Sequence, residues 1–135
     1  MIVYSTATRR SRAAAVLAAL DAGQAPAKLA IYGGIAPAPG VAATEPPLVV
    51  FTLAKPVGEV SDAGLVLVPP AETVMLRTGV ATWARLSTGS DAWVGDMSVG
   101  DKDSTADLKL GVSGGPAGVM LYAGALLRLP SLILR

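Results

Sequence analysis

A mainly β fold, a jelly-roll-like antiparallel β-sandwich with one short N-terminal α-helix, follows from three features of the sequence. After Gly23 the chain breaks into short apolar runs separated by Gly, Pro and Asp, as many short strands joined by turns would do. Before Gly23 a single segment carries a helical repeat. The chain has 135 residues, of which 52% are hydrophobic and 16% charged, against roughly 25% charged in an average soluble domain. That much apolar surface must be buried rather than left as a disordered chain. The length fits one domain, 1–135, around one core.

The helix is expected over about 9–22. Thr6 or Thr8 can cap it, and Gly23 stands where a left-handed C-terminal residue is wanted. Ala13, Val16, Leu17 and Leu20 follow the i, i+3, i+4, i+7 spacing of one apolar stripe. Arg9, Arg10 and Arg12 then fall in the first turn, where the helix dipole disfavours positive charge. An acidic partner surface would account for them, as would three solvated side chains at small cost.

The sandwich is expected over about 28–135, with strands at Lys28–Tyr32, Leu48–Leu53, Leu65–Val68, Thr73–Arg77, Val80–Leu86, Ala92–Val99, Leu108–Val112 and Val119–Leu127. Eight strands suit a jelly roll. No repeat of fixed period and no interdomain linker interrupts them. The clearest local unit is a hairpin from Val80 to Val99 turning through Ser87-Thr88-Gly89-Ser90-Asp91. Pairing symmetric about Thr88 places Trp83 opposite Trp93 and Arg85 opposite Asp91 on one face. The two tryptophans are then core or interface anchors, or a platform for sugar.

Composition removes most chemistry. There are no cysteines and no histidines, which excludes disulfides, thiolates, the usual zinc sites and every Ser-His or Cys-His nucleophile. Lys plus Arg is 11 and Asp plus Glu is 10, without the basic stripe of a nucleic-acid binder. Ala13 to Ala22 is broken by Asp21 and does not read as a secretion signal. The apolar stretch Val119–Leu134 is interrupted by Arg128 and Pro130, short of the ~20 residues of a spanning helix.

Asp91, Asp96, Asp101, Asp103 and Asp107, opposed only by Lys102, invite a calcium reading, but the loop lacks the glycine and bidentate glutamate of a calcium-binding loop. A solvated turn accounts for it. Nor does a cleft present two of these carboxylates as a glycosidase pair. Gly33-Gly34 and Gly114-Gly115 match no phosphate-binding pattern. A Ser-Lys dyad is allowed by inventory, but no motif recommends a serine. No cofactor or metal is expected. What remains is a charge asymmetry between the Arg9, Arg10, Arg12 arm and the acidic 91–107 segment, which could set register in an assembly, and an apolar surplus that favours a covered surface.

Three segments carry a resemblance. Ala18-Ala19-Leu20-Asp21-Ala22-Gly23, Leu29-Ala30-Ile31-Tyr32-Gly33-Gly34 and Ala81-Thr82-Trp83-Ala84-Arg85, followed by the acidic turn back in Ala92–Gly100, resemble a group of small tailed-phage virion proteins. The likeness runs from about Arg9 to Gly100; the Leu-rich C-terminus departs from the more polar ending expected of the group. The resemblance implies a non-enzymatic capsid decoration (cement) protein on the outer surface of the virion. Such a protein would clamp phage major capsid protein subunits as a homodimer or homotrimer, without nucleic acid or membrane. Expected contact residues are Arg9, Arg10 and Arg12 on the helix, Trp83 and Trp93 on the hairpin, and Leu126, Leu127, Leu132, Ile133 and Leu134 at the C-terminus. A tail or baseplate component, or a carbohydrate-binding module, are the alternatives.

Overall fold

The computed structural model describes residues 2–111 and 118–135. Val112, the last residue of one expected strand, and Gly114-Gly115 lie outside the described residues. The architecture is mainly β with one helix, and mainly antiparallel.

Helix α1 spans Thr6–Leu20, starting three residues before the expected Arg9. The capping residue is Ser5 rather than Thr6 or Thr8: its hydroxyl accepts the Thr8 N–H at 3.2 Å. The earlier start moves Arg9, Arg10 and Arg12 past the first turn, where the dipole penalty fades. Ala13 and Leu20 are buried, and Val16 and Leu17 pack beside them, so the predicted stripe is the one that docks. At the other end the Lys55 ammonium donates to the carbonyls of Asp21 and Gly23, at 2.6 and 2.7 Å. Carbonyls at and just beyond the C-cap are thereby satisfied by a cation.

Twelve short strands follow among the described residues: β1 Lys28–Tyr32, β2 Val49–Thr52, β3 Gly58–Ser61, β4 Gly64–Leu67, β5 Thr73–Val74, β6 Gly79–Ala81, β7 Trp83–Ser87, β8 Trp93–Gly100, β9 Leu108–Lys109, β10 Val119–Leu121, β11 Leu126–Leu127 and β12 Ile133–Leu134. One sheet runs β2-β1-β7-β8-β9, antiparallel except for the parallel pair β8-β9. A second runs β12-β4-β3, with α1 packed on β3 and β4. Gly64 (φ +139°) is needed where the C-terminal strand crosses, since a Cβ there would stand 2.3 Å from the Leu134 carbonyl oxygen. Both sheets and the helix share one core that includes Leu20, Leu29, Ile31, Phe51, Leu65 and Leu108.

The expected strand Val80–Leu86 is two strands in different ladders. Gly79–Ala81 pairs with β10, while Trp83–Ser87 pairs with β1 and β8. Thr82 is the corner: its N–H bonds the Tyr32 carbonyl at 2.9 Å and its hydroxyl bonds the Gly34 carbonyl at 2.6 Å. Similarly, Val119–Leu127 divides into β10 and β11.

These pieces nevertheless belong to one long ribbon. Leu127 faces Thr73, Leu126 faces Val74, Leu121 faces Gly79, Met120 faces Val80 and Val119 faces Ala81, all in a single register. Between the two ladders the Met75 N–H bonds the Ala125 carbonyl and the Gly124 N–H bonds the Met75 carbonyl, both at 2.8 Å. The ribbon therefore runs from Thr73 to Ala81 against Val119 to Leu127, irregular at its middle.

Candidate functional site

The hairpin β7–β8 does not pair about Thr88. Residues 88–92 form the turn, closed by Thr88 N–H to the Ala92 carbonyl and Ala92 N–H to the Thr88 hydroxyl. A bulge follows Leu86. Asp91 takes a positive φ of 67°, which Asp tolerates better than most residues. The pairing expected from sequence is thus corrected: Trp83 faces Ser98, Trp93 faces Ser87, and Arg85 faces Asp96. Asp91 pairs with Lys28 instead, at 3.0 Å.

This register builds a polar ladder across the sheet. Tyr32 stacks on Trp83 with ring centroids 4.3 Å apart, and the Arg85 guanidinium lies 5.1 Å from the Trp83 ring. Arg85 Nε and Nη2 then grip the two Asp96 oxygens at 2.7 and 3.0 Å, a bidentate pair. The Trp93 indole N–H adds a bond to Asp96 at 3.1 Å. The side chains of Arg85 and Asp96 are 12% and 18% exposed. The Arg85 hydrogen bonds hold the Asp96 carboxyl below the usual carboxylate range, helped by Trp93 and the Gly40 amide and opposed by burial. The Asp96 hydrogen bond likewise raises Arg85. Gly40 (φ +79°) brings the Pro-rich loop between β1 and β2 onto Trp93, where a Cβ would lie 3.3 Å from the ring. The ladder is thus a clasp that fastens this loop to the sheet.

The other expected contact residues are scattered. Arg9 donates to the Asp62 carbonyl, the Tyr4 carbonyl and the Thr6 hydroxyl. Arg10 pairs with Asp62 at 2.8 Å, and Arg12 lies over the Tyr4 ring. The three arginines thus fasten the N-terminal arm and the β3–β4 turn. Trp83, Leu127 and Leu132 are core residues; Leu134 is partly buried, while Trp93, Leu126 and Ile133 are exposed. The acidic segment is also dispersed: Asp107 accepts from Ser98 N–H and Oγ, and Asp101 accepts from the Asp103 N–H. Among the described residues no three carboxylates gather as a metal site.

The feature that sequence reasoning passed over is the outer face of the ribbon. Val74, Leu76, Met120, Tyr122 and Leu126 are 49%, 60%, 45%, 60% and 61% exposed. They alternate with buried Met75, Val119, Leu121 and Leu127 on the other face. An antiparallel sheet with one wet side ordinarily alternates apolar with polar, whereas the outer side of this ribbon carries five large apolar residues with exposed Thr78 among them. The signal was present in the sequence as even spacing at 74, 76, 120, 122 and 126. It was masked because the neighbours between them are apolar too.

Two concavities open elsewhere. A cleft of about 880 Å³ lies between β8–β9 and the C-terminal segment, with Lys102, Asp107, Lys109 and Arg135 on its walls. A smaller crevice of about 330 Å³ runs beneath Pro37 and Pro39 beside Trp83 and Asp96. Both mix charge signs or are shallow, and on the wall of the smaller one Ser98 Oγ donates to the Asp107 carboxylate at 3.1 Å. No protein-family model matches the chain, and no curated protein or solved structure matches it either.

Proposed function

We propose that the chain is a structural protein that acts by docking, and specifically that it decorates the outer surface of a tailed-phage capsid and stabilises it by clamping major capsid protein subunits. The observation that carries the docking part is the ribbon's exposed apolar face, a surface whose water contact is relieved only by another molecule. The capsid part is supported by the three sequence segments that resemble small phage virion proteins. A jelly-roll-like sandwich belongs to the same reading, supported by mainly antiparallel sheets around one core. A clip that binds only the assembled shell stabilises it by mass action and multivalency, with no chemistry required.

The test is binding of the purified protein to expanded capsid shells. Saturation at hundreds of copies per particle, with a raised shell-disruption temperature, is the expected result. A handful of copies, confined to tails, would replace the shell assignment with a tail component. Failure to bind particles at all would remove both.

A further inference from the structure

We infer that the cleft beside β8 binds a small organic anion with an apolar body, of the kind of a single-chain amphiphile with a carboxylate head. The inference does not rest on the capsid reading, which is carried by the outer face of the ribbon and not by this cleft.

Three observations carry it. First, the cleft is deep as well as large. Its volume of about 880 Å³ lies within the ~300–1,000 Å³ of small-molecule sites. It reaches Leu86, Met97 and Leu132, which are 4%, 9% and 8% exposed, and Val16 of α1 adds to the same floor. These side chains belong to the core or pack against it, so an apolar body laid on them leaves water favourably.

Second, Gly95 leaves the β8 wall bare. It faces Leu86 across the hairpin, and a Cβ built on it would meet no atom within 4 Å. A strand position opposite a buried leucine ordinarily carries a side chain that packs on it, and a glycine inside a strand often marks the close approach of a ligand. Here the vacant place forms part of the cleft.

Third, the charges at the rim favour an anion. Lys102 and Lys109 are exposed, line the cleft and take part in no salt bridge among the described residues. Of the two aspartates on the walls, Asp96 is neutralised by Arg85 at 2.7 Å, which leaves Asp107 against two ammonium groups. Thr105 and Ser131 bring hydroxyl donors to the same walls. A cationic amphiphile would find the same floor under the wrong rim charge, so the rim sets the preference.

The experiment is isothermal titration calorimetry on the full chain, with dodecanoate below its micelle concentration as the probe. One-site binding at ~10–100 μM is expected. Decanoate should bind at least about 5-fold more weakly, because buried methylenes drive the association, and dodecyltrimethylammonium should also lose at least about 5-fold. Gly95→Phe should weaken dodecanoate at least about 10-fold by filling the bare wall. Its position in extended strand has room for a side chain, so circular dichroism should match wild type. The double variant Lys102→Glu, Lys109→Glu, at two exposed sites, should reverse the preference between dodecanoate and dodecyltrimethylammonium. Ile35→Ser, 96% exposed and outside the cleft, should change neither affinity.

No heat of binding at about 1 mM dodecanoate would overturn the inference. So would equal affinity for the cationic amphiphile, or dodecanoate binding that survives both Gly95→Phe and the double lysine change. Binding to phosphatidylglycerol vesicles without binding to free dodecanoate would assign the lysines to a membrane surface and overturn it as well. None of these titrations involves capsid shells, so the inference and the capsid reading fail separately.

Discussion

Replacing Asp96 by Asn keeps the shape of the clasp but removes its charge. In wild type, two charge-assisted bonds from Arg85 at 2.7 and 3.0 Å converge on the carboxylate. An amide turns one acceptor into a donor that faces the guanidinium. Exposed ion pairs contribute ~0.2–1 kcal/mol, and breaking a fully buried pair costs ~3–5 kcal/mol. With side chains 12% and 18% exposed the pair lies between, so a loss of about 2 kcal/mol is expected at pH 7. For 135 residues the unfolding entropy is about 0.28 kcal/mol/K, which converts that loss to a Tm drop of roughly 7 °C.

The same variant has a signed pH dependence. Asp96 titrates lower in the folded chain than an ordinary carboxyl. Its contribution is therefore complete above the unfolded value of about 4 and is lost as pH falls through the lowered folded value. Urea unfolding followed by circular dichroism should show the full gap between wild type and D96N at pH 7, narrowing below about pH 4. A gap under about 0.5 kcal/mol at pH 7, or one that stays constant into acid, would refute the clasp's role.

Gly40→Ala should cost about 1–2 kcal/mol, because φ is +79° and the new methyl meets the Trp93 ring; a red shift in tryptophan emission would report the loop lifting away. Ser5→Ala should remove the helix cap and about 1 kcal/mol, visible as a lower urea midpoint with an unchanged slope. Leu20→Ala, at a residue with no exposure, should cost about 3 kcal/mol in the same assay.

What the sequence disclosed depended on how local the determinant was. The stripe Ala13, Val16, Leu17, Leu20 needs only helical spacing, and β1 needs only its own five residues; both are where they were expected. The hairpin β7–β8 was correct as a hairpin but not in register. Its turn is closed by the Thr88 hydroxyl and a bulge after Leu86, details that residue type alone does not fix. Strand β3, Gly58–Ser61, has a single large apolar residue, Val60, and forms because β4 and α1 cover it. Strand β12 likewise exists because Leu65 and Val66 offer it an edge.

The division of Val80–Leu86 shows the same limit from the other side. A largely apolar run states that both faces are covered or that two different ladders share the run, and periodicity does not distinguish these. Here Thr82 turns the chain from one ladder to the next, with its hydroxyl held by the Gly34 carbonyl, a contact 48 residues away in sequence. For Val119–Leu127 the run is apolar on both sides although only one side meets the core. A two-stranded ribbon gains no stability from apolar side chains left in water, so burial in the core does not account for the residues on its outer side. Of the contact residues named from sequence, Trp83, Leu127 and Leu132 belong to the core, Arg9, Arg10 and Arg12 are internal tethers, Leu134 is partly buried, and Trp93, Leu126 and Ile133 are exposed. Of them, Leu126 alone lies on the ribbon's apolar strip. The strip's other members, Val74, Leu76, Met120 and Tyr122, become a single surface only once the register of Thr73–Ala81 against Val119–Leu127 is known.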